Sequence, residues 1–193
     1  MRSVTHIFRL FLLLALIAPA SLAQAEVGVA PGAKLPHTLE LQDQDGTTQS
    51  FDTLKGDNGL VIVFVRSLDW CPFCLKQVVE LSKERTQFNE LGYNLVTISY
   101  DTPAQLKSYA DKHSVGVTLL SDPASEAIRA FGLLNEDMAM GTRFYGIPHP
   151  AVYVVDVQGV VAHKLMEEGY ERRPSLDDII MLLAPEEEEI PSE

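Results

Sequence analysis

The hydrophobic positions of this chain change period several times, and each change marks an element. Residues 60–65 (LVIVFV) form a continuous, largely β-branched apolar run. Such a run predicts a strand buried on both faces of a mostly parallel sheet. Directly after it, Cys71, Cys74, Leu75 and Val78 fall at i, i+3, i+4 and i+7, and Val79, Phe88 and Leu91 extend the stripe to Gly92. That spacing predicts an amphipathic helix stopped by glycine. Residues 95–99 (LVTIS) read as the next strand. Thr102-Pro103-Ala104-Gln105 is a capping box with proline at the first helical position, and Leu106, Tyr109, Ala110 and His113 share one face of the helix it opens.

The alternation continues. Residues 117–120 predict a short strand, and Asp122-Pro123 caps a helix with Ala124, Ala127, Ile128 and Phe131 inward, ended by Gly132. Residues 133–148 lack a period and read as an irregular insertion. Residues 151–155 predict a strand that Gln158-Gly159 turns into an antiparallel neighbour at 160–165. Ser175 caps a last helix with Leu176, Ile179, Ile180 and Leu183 inward, ahead of Pro185. Before the first core strand, Leu39 and Leu41, then Asp45-Gly46, then Phe51 predict a hairpin, preceded by a loosely ordered lead-in at 26–36. Strands alternating with helices imply an α/β fold with helices on both faces of the sheet.

The ends of the chain read differently. Arg2 and Arg9, a short apolar run at 10–17 and small residues up to Ala25 make a secretory signal peptide pattern over residues 1–25. The run is too short for a bilayer, which takes about 20 residues of helix; an uncleaved anchor is the alternative. Residues 26–184 then form one domain, and residues 185–193 an acidic tail expected to be disordered. The 193 residues carry 15 Lys+Arg against 27 Asp+Glu, a formal charge of −12, and losing Arg2 and Arg9 makes the mature chain more acidic still. That balance argues against nucleic acid or an anionic membrane as partner. A periplasmic or secreted setting is oxidising, so two cysteines are expected to be paired there.

Those two cysteines, in Trp70-Cys71-Pro72-Phe73-Cys74, carry the chemistry. Pro72 at the first helical position makes Cys71 the N-cap, and one turn brings Cys74 onto the same face within disulfide reach. A sulfur at a helix N-terminus is stabilised as thiolate, the attacking form. Cys71 is therefore the expected nucleophile, with the more buried Cys74 resolving the mixed disulfide. A structural disulfide, half a zinc site and a soft-metal site completed by His149 are the alternatives. Gly146-Ile147-Pro148-His149-Pro150 runs straight into a strand, and proline is tolerated at a strand's first residue. A cis His149–Pro150 bond there would make a tight bend. Trp70 is expected to shield the site, Pro72 and Phe73 to tune its potential, and Arg66 either to add positive potential or to sit in a surface ion pair.

A buried strand, W-C-x-x-C at a helix start and a proline opening a later strand resemble the thioredoxin fold over residues 35–184. The N-terminal β-hairpin, Leu119-Leu120-Ser121-Asp122-Pro123 and Arg129-Ala130-Phe131-Gly132 are similar to the peroxiredoxin (AhpC/TSA) branch. The resemblance implies a thioredoxin-like fold with a central mixed sheet flanked by helices on both faces. It also places Cys71 and Cys74 as the redox pair, Pro150 in the cis-proline place beside them, and His149 as a backbone partner for an incoming substrate strand. The site departs from peroxiredoxins. Aligned on Cys74, the expected Thr or Ser is Cys71, the upstream Pro is Ser67, and the peroxide-binding Arg is Pro150. The buried acid of thioredoxins corresponds to Val65, so no proton acceptor for Cys74 stands out, Asp69 being a nearby loop residue.

These readings lead to a thiol–disulfide oxidoreductase exchanging disulfides with protein partners. The alternatives are a thiol peroxidase acting on a small hydroperoxide and a copper carrier. No cofactor is expected, and an external reductant or oxidant protein completes the cycle.

Overall fold

The computed structural model describes residues 26–184; the signal pattern at 1–25 and the acidic tail at 185–193 lie outside the described residues. The order is β1 (Leu41–Asp43), β2 (Thr48–Gln49), α1 (Phe51–Leu54), β3 (Gly59–Phe64), α2 (Pro72–Lys83), α3 (Arg85–Glu90) and β4 (Tyr93–Ser99). It continues with α4 (Pro103–His113), β5 (Thr118–Ser121), α5 (Glu126–Ala130), β6 (Ala151–Asp156), β7 (Val161–Leu165) and α6 (Leu176–Leu183). The seven strands make one mixed sheet in the order β2-β1-β5-β4-β3-β6-β7. β3, β4 and β5 run parallel, while β6 pairs antiparallel with β3, with Phe64 opposite Ala151. This is the thioredoxin-like fold.

β3 is central because its sequence requires it. All six residues are buried, and alternation splits them between two cores. Val61 and Val63, with Val65 just beyond the strand, meet Val78 and Leu81 of α2, Leu106 and Tyr109 of α4, and Ile179 and Leu183 of α6. Leu60, Ile62 and Phe64 meet Leu54 of α1, Ala127 and Ile128 of α5, and Phe131. Helices therefore cover both faces, as the alternating pattern implies. Among the described residues, no helix is long and apolar enough to cross a membrane.

Four local expectations change. The helix expected through residue 91 breaks at Glu84, which caps both α2 and α3 while Phe88 stays buried beyond the break. His113 is exposed and lies against the ring of Tyr109 instead of joining the buried face. The lead-in is docked, not loose: Gly32 N–H donates to Val161 O at 2.8 Å and Leu35 N–H to Gly159 O at 2.9 Å. The helix after Asp122 starts at Glu126, and the Asp122 carboxylate still caps it, accepting from Glu126 and Ile128 N–H at 2.7 and 2.9 Å.

Candidate active site

Val65 prolongs β3 by donating to Ile98 O at 3.0 Å, and the chain then leaves the sheet at Arg66. It arrives at Cys71, the extended N-cap of α2, with Pro72 filling a helical position that needs no N–H donor. Cys71 and Cys74 form a disulfide with their Cα atoms 5.3 Å apart, as the CxxC spacing requires. Cys71 is 1% exposed and Cys74 0%, both in the core cluster against which Trp70 and Leu75 pack. The expected contrast between an accessible Cys71 and a sheltered Cys74 is thus absent in this oxidised state.

The turn leading to Cys71 is held from beneath by an acid that the sequence reading did not single out. Asp101, 2% exposed, follows β4. Its carboxylate accepts from Ser67 Oγ at 2.7 Å, Leu68 N–H at 2.6 Å and Ser99 Oγ at 2.8 Å. Ser67 Oγ in turn accepts the N–H of Asp69 at 3.0 Å, while the Asp69 side chain faces solvent. Burial raises the Asp101 pKa, and the three hydrogen bonds only partly offset it.

Trp70 forms a wall beside the pair. Its Nε1 donates to Tyr100 Oη at 2.9 Å, Tyr100 donates onward to Arg143 O at 2.6 Å, and Phe144 meets the indole edge-on at 4.9 Å. Phe144 and Arg143 come from the segment read as an irregular insertion, which here completes the wall. Phe73, on the outer side of α2, is exposed and meets Tyr170 at 5.9 Å. Arg66 stacks between Trp70 and Tyr170, its guanidinium carbon 5.0 and 4.3 Å from the two ring centroids. The expected surface ion pair of Arg66 is not present among the described residues.

A second cation arrives from far along the chain. Arg173, just ahead of α6, directs Nη2 at Cys74 Sγ across 3.5 Å. Arg172-Arg173 in so acidic a chain, beside a capped helix, was the available sequence signal.

His149 and Pro150 separate. By the alternation of β6, Pro150 shares the parity of Val152 and Val154 and so lies on the disulfide's side of the sheet. His149 has the opposite parity and lines a cavity with Glu26, Arg129 and Leu134. Its N–H, expected to meet a substrate strand, donates to Leu133 O at 2.7 Å. The His149–Pro150 bond is trans. The copper site that would join His149 to the two sulfurs is not assembled, and among the described residues no three His, Cys, Asp or Glu are placed to hold a metal ion.

A thioredoxin-like sheet carrying a disulfide at the first turn of a helix defines a thiol-redox protein. The family model described as AhpC/TSA family matches residues 31–164, and the chain belongs to that family. It is a thiol-dependent enzyme. It is 30% identical over 148 residues to the chloroplastic peroxiredoxin Q of Populus jackii, covering 77% of this chain and 65% of that protein. It is 29% identical over 135 residues to peroxiredoxin Bcp of Escherichia coli, covering 70% and 81%. Among solved structures, the peroxidoxin BcpB of Mycobacterium tuberculosis has a TM-score of 0.66 at 22% identity, covering 82% of this chain and 95% of that one, a likeness of fold.

Proposed function

We propose that the protein is a thiol-dependent peroxidase in which Cys74, the sulfur that Arg173 faces, attacks a hydroperoxide and Cys71 resolves the product, the reverse of the order expected from the helix cap. The observation that carries this reading is the closure of both sulfurs, at 1% and 0% exposure. A small hydroperoxide needs a far narrower opening to reach such sulfurs than a folded protein partner, whose disulfide must meet Cys71 at the surface. The peroxiredoxin relatives support the same choice over disulfide exchange.

The steps balance as follows. The Cys74 thiolate attacks the terminal peroxide oxygen, the O–O bond breaks, and the alkoxide leaves with a proton as alcohol or water. Cys74 is now a sulfenic acid. The Cys71 thiol attacks that sulfur, water leaves, and the observed disulfide forms. A dithiol reductant then restores both thiols, becoming a disulfide itself. The pattern at residues 1–25 supports a periplasmic or secreted setting for this chemistry, which N-terminal sequencing of the exported protein would test.

The test is stopped-flow oxidation of the reduced protein by hydrogen peroxide and by an alkyl hydroperoxide, beside turnover of an insulin-type protein disulfide. Cys74→Ser abolishes peroxide reduction, and Cys71→Ser gives one turnover ending in a trappable sulfenic acid at residue 74. Peroxide rates no faster than those of free cysteine, with rapid protein-disulfide turnover, would overturn the proposal.

A further inference from the structure

Arg173 reaches the redox pair, with the like charge of Arg66 close to it, and neither has a counter-ion among the described residues. Arg173 Nη2 lies 3.5 Å from Cys74 Sγ, and Nη1 donates to the carbonyls of Tyr170 and Arg172. The Nε atoms of both arginines are buried with no hydrogen-bond partner. Among the described residues neither forms an ion pair, although the chain has a formal charge of −12. Burial, then the like charge of Arg66, lowers the Arg173 pKa to about 10. Uncompensated cations in a sheltered place are costly. In the disulfide state the sulfurs offer no negative charge to meet them. Reduction by a dithiol delivers two electrons and two protons, and ionisation of the Cys74 thiol releases one proton and places an anion beside Arg173.

We propose that Arg173, backed by Arg66, is a catalytic residue that supplies the counter-charge holding reduced Cys74 as a thiolate. Its part in turnover rests on the peroxidase reading; its effect on the thiol does not. The position aligned with the peroxide-binding arginine of peroxiredoxins is Pro150, so the charge reaches Cys74 from the segment ahead of α6 instead. The other charged groups around the site are poorly placed to do this. Lys76 and Glu80 of α2 pair with each other in solvent at 3.8 Å, Asp69 and Glu171 are exposed, and Asp101 is engaged by Ser67 and Leu68. The dipole of α2 adds to Arg173 in the same direction.

The experiment follows iodoacetamide alkylation of reduced protein in a Cys71→Ser background, from roughly pH 5 to pH 9, with circular dichroism to check the fold. Cys74 is expected to titrate clearly below the ordinary cysteine value of about 8.5. Arg173→Gln raises the midpoint by about one unit, slowing alkylation at low pH roughly tenfold, and Arg173→Lys restores most of the rate. A midpoint at about 8.5 in the background protein overturns the proposal without any arginine variant. So does an unchanged profile in folded Arg173→Gln. Should that variant fail to fold, Arg66→Gln carries the test, with a smaller upward shift expected and an unchanged profile counting against the proposal. A depressed midpoint without peroxide turnover sinks the peroxidase reading alone; peroxide turnover with an ordinary thiol sinks this one.

Discussion

The N–H of Leu68 meets the carboxylate of Asp101 at 2.6 Å, tying the turn before the redox pair to the end of the neighbouring strand. Ser67 and Ser99 direct their hydroxyls to the same carboxylate. Asp101→Ala strands these donors in the interior, at a cost of about 2–4 kcal/mol. It also frees Ser67, whose oxygen holds the N–H of Asp69 just ahead of Trp70 and Cys71. The expected outcome is a lower urea midpoint together with slower oxidation by peroxide. The pH dependence has a definite sign. The Asp101 pKa is raised in the fold, so the folded state keeps this proton to higher pH than the unfolded chain. Its contribution to stability is fully present below the ordinary value of about 4 and is lost as pH rises through the folded value. Asp101→Asn lacks that segment of the stability–pH curve, and urea midpoints across the acidic range check it.

Trp70 is the chain's one tryptophan and directly precedes Cys71. A disulfide accepts an electron from an excited indole, so emission is expected to rise when a dithiol reduces the pair and to fall when peroxide reoxidises it. Cys71→Ser abolishes the change. Tyr100→Phe, which removes the acceptor of the 2.9 Å bond from Trp70 Nε1, shifts the emission maximum while leaving the redox response. Titration with a dithiol while recording fluorescence measures both.

What the sequence made legible was local. Residues 60–65 and 71–78 carry the two strongest periodicities, and β3 and α2 follow them, with Cys71 at the cap that Pro72 implies. The break at Glu84 left no trace because Phe88 keeps the apolar stripe running across it. The docking of 26–36 was hidden because backbone groups make it, including Gly32 N–H and Leu35 N–H, and these have no side-chain signature. The separation of His149 from Pro150 follows from strand parity, which becomes readable only once the register of Ala151 against Phe64 is known. Arg173 lies 99 positions from Cys74, so their contact belongs to the tertiary fold.

Tyr153 gives the fold an alkaline limit. It packs against Phe131 and Phe64 at centroid distances of 5.2 and 6.0 Å, and burial pushes its pKa up to about 12. The unfolded chain releases the same proton at about 10. The contribution is therefore whole below about pH 10 and is lost as pH rises through the folded value. Stability is expected to fall steadily over that window, and Tyr153→Phe to flatten the slope. Urea midpoints measured through the window, beside phenolate absorbance, decide it.

Gly59 opens β3 at φ +143°, between Tyr93 on one side and Asp156 on the other. A methyl group there would collide with the carbonyl of Val155 and sit 3.0 Å from the Tyr93 ring. Neither neighbour can yield easily, since the carbonyl belongs to the central sheet and the backbone angle is itself strained for an L residue. Gly141, at φ +79°, has open space around it. Gly141→Ala then measures the conformational cost alone, about 1 kcal/mol, and Gly59→Ala adds the collision, for a total of about 3 kcal/mol or more. In a chain of this size that gap lowers the melting temperature of Gly59→Ala by roughly 4–8 °C more than that of Gly141→Ala. Equal melting temperatures for the two variants would mean that β3 does not begin where this register puts it.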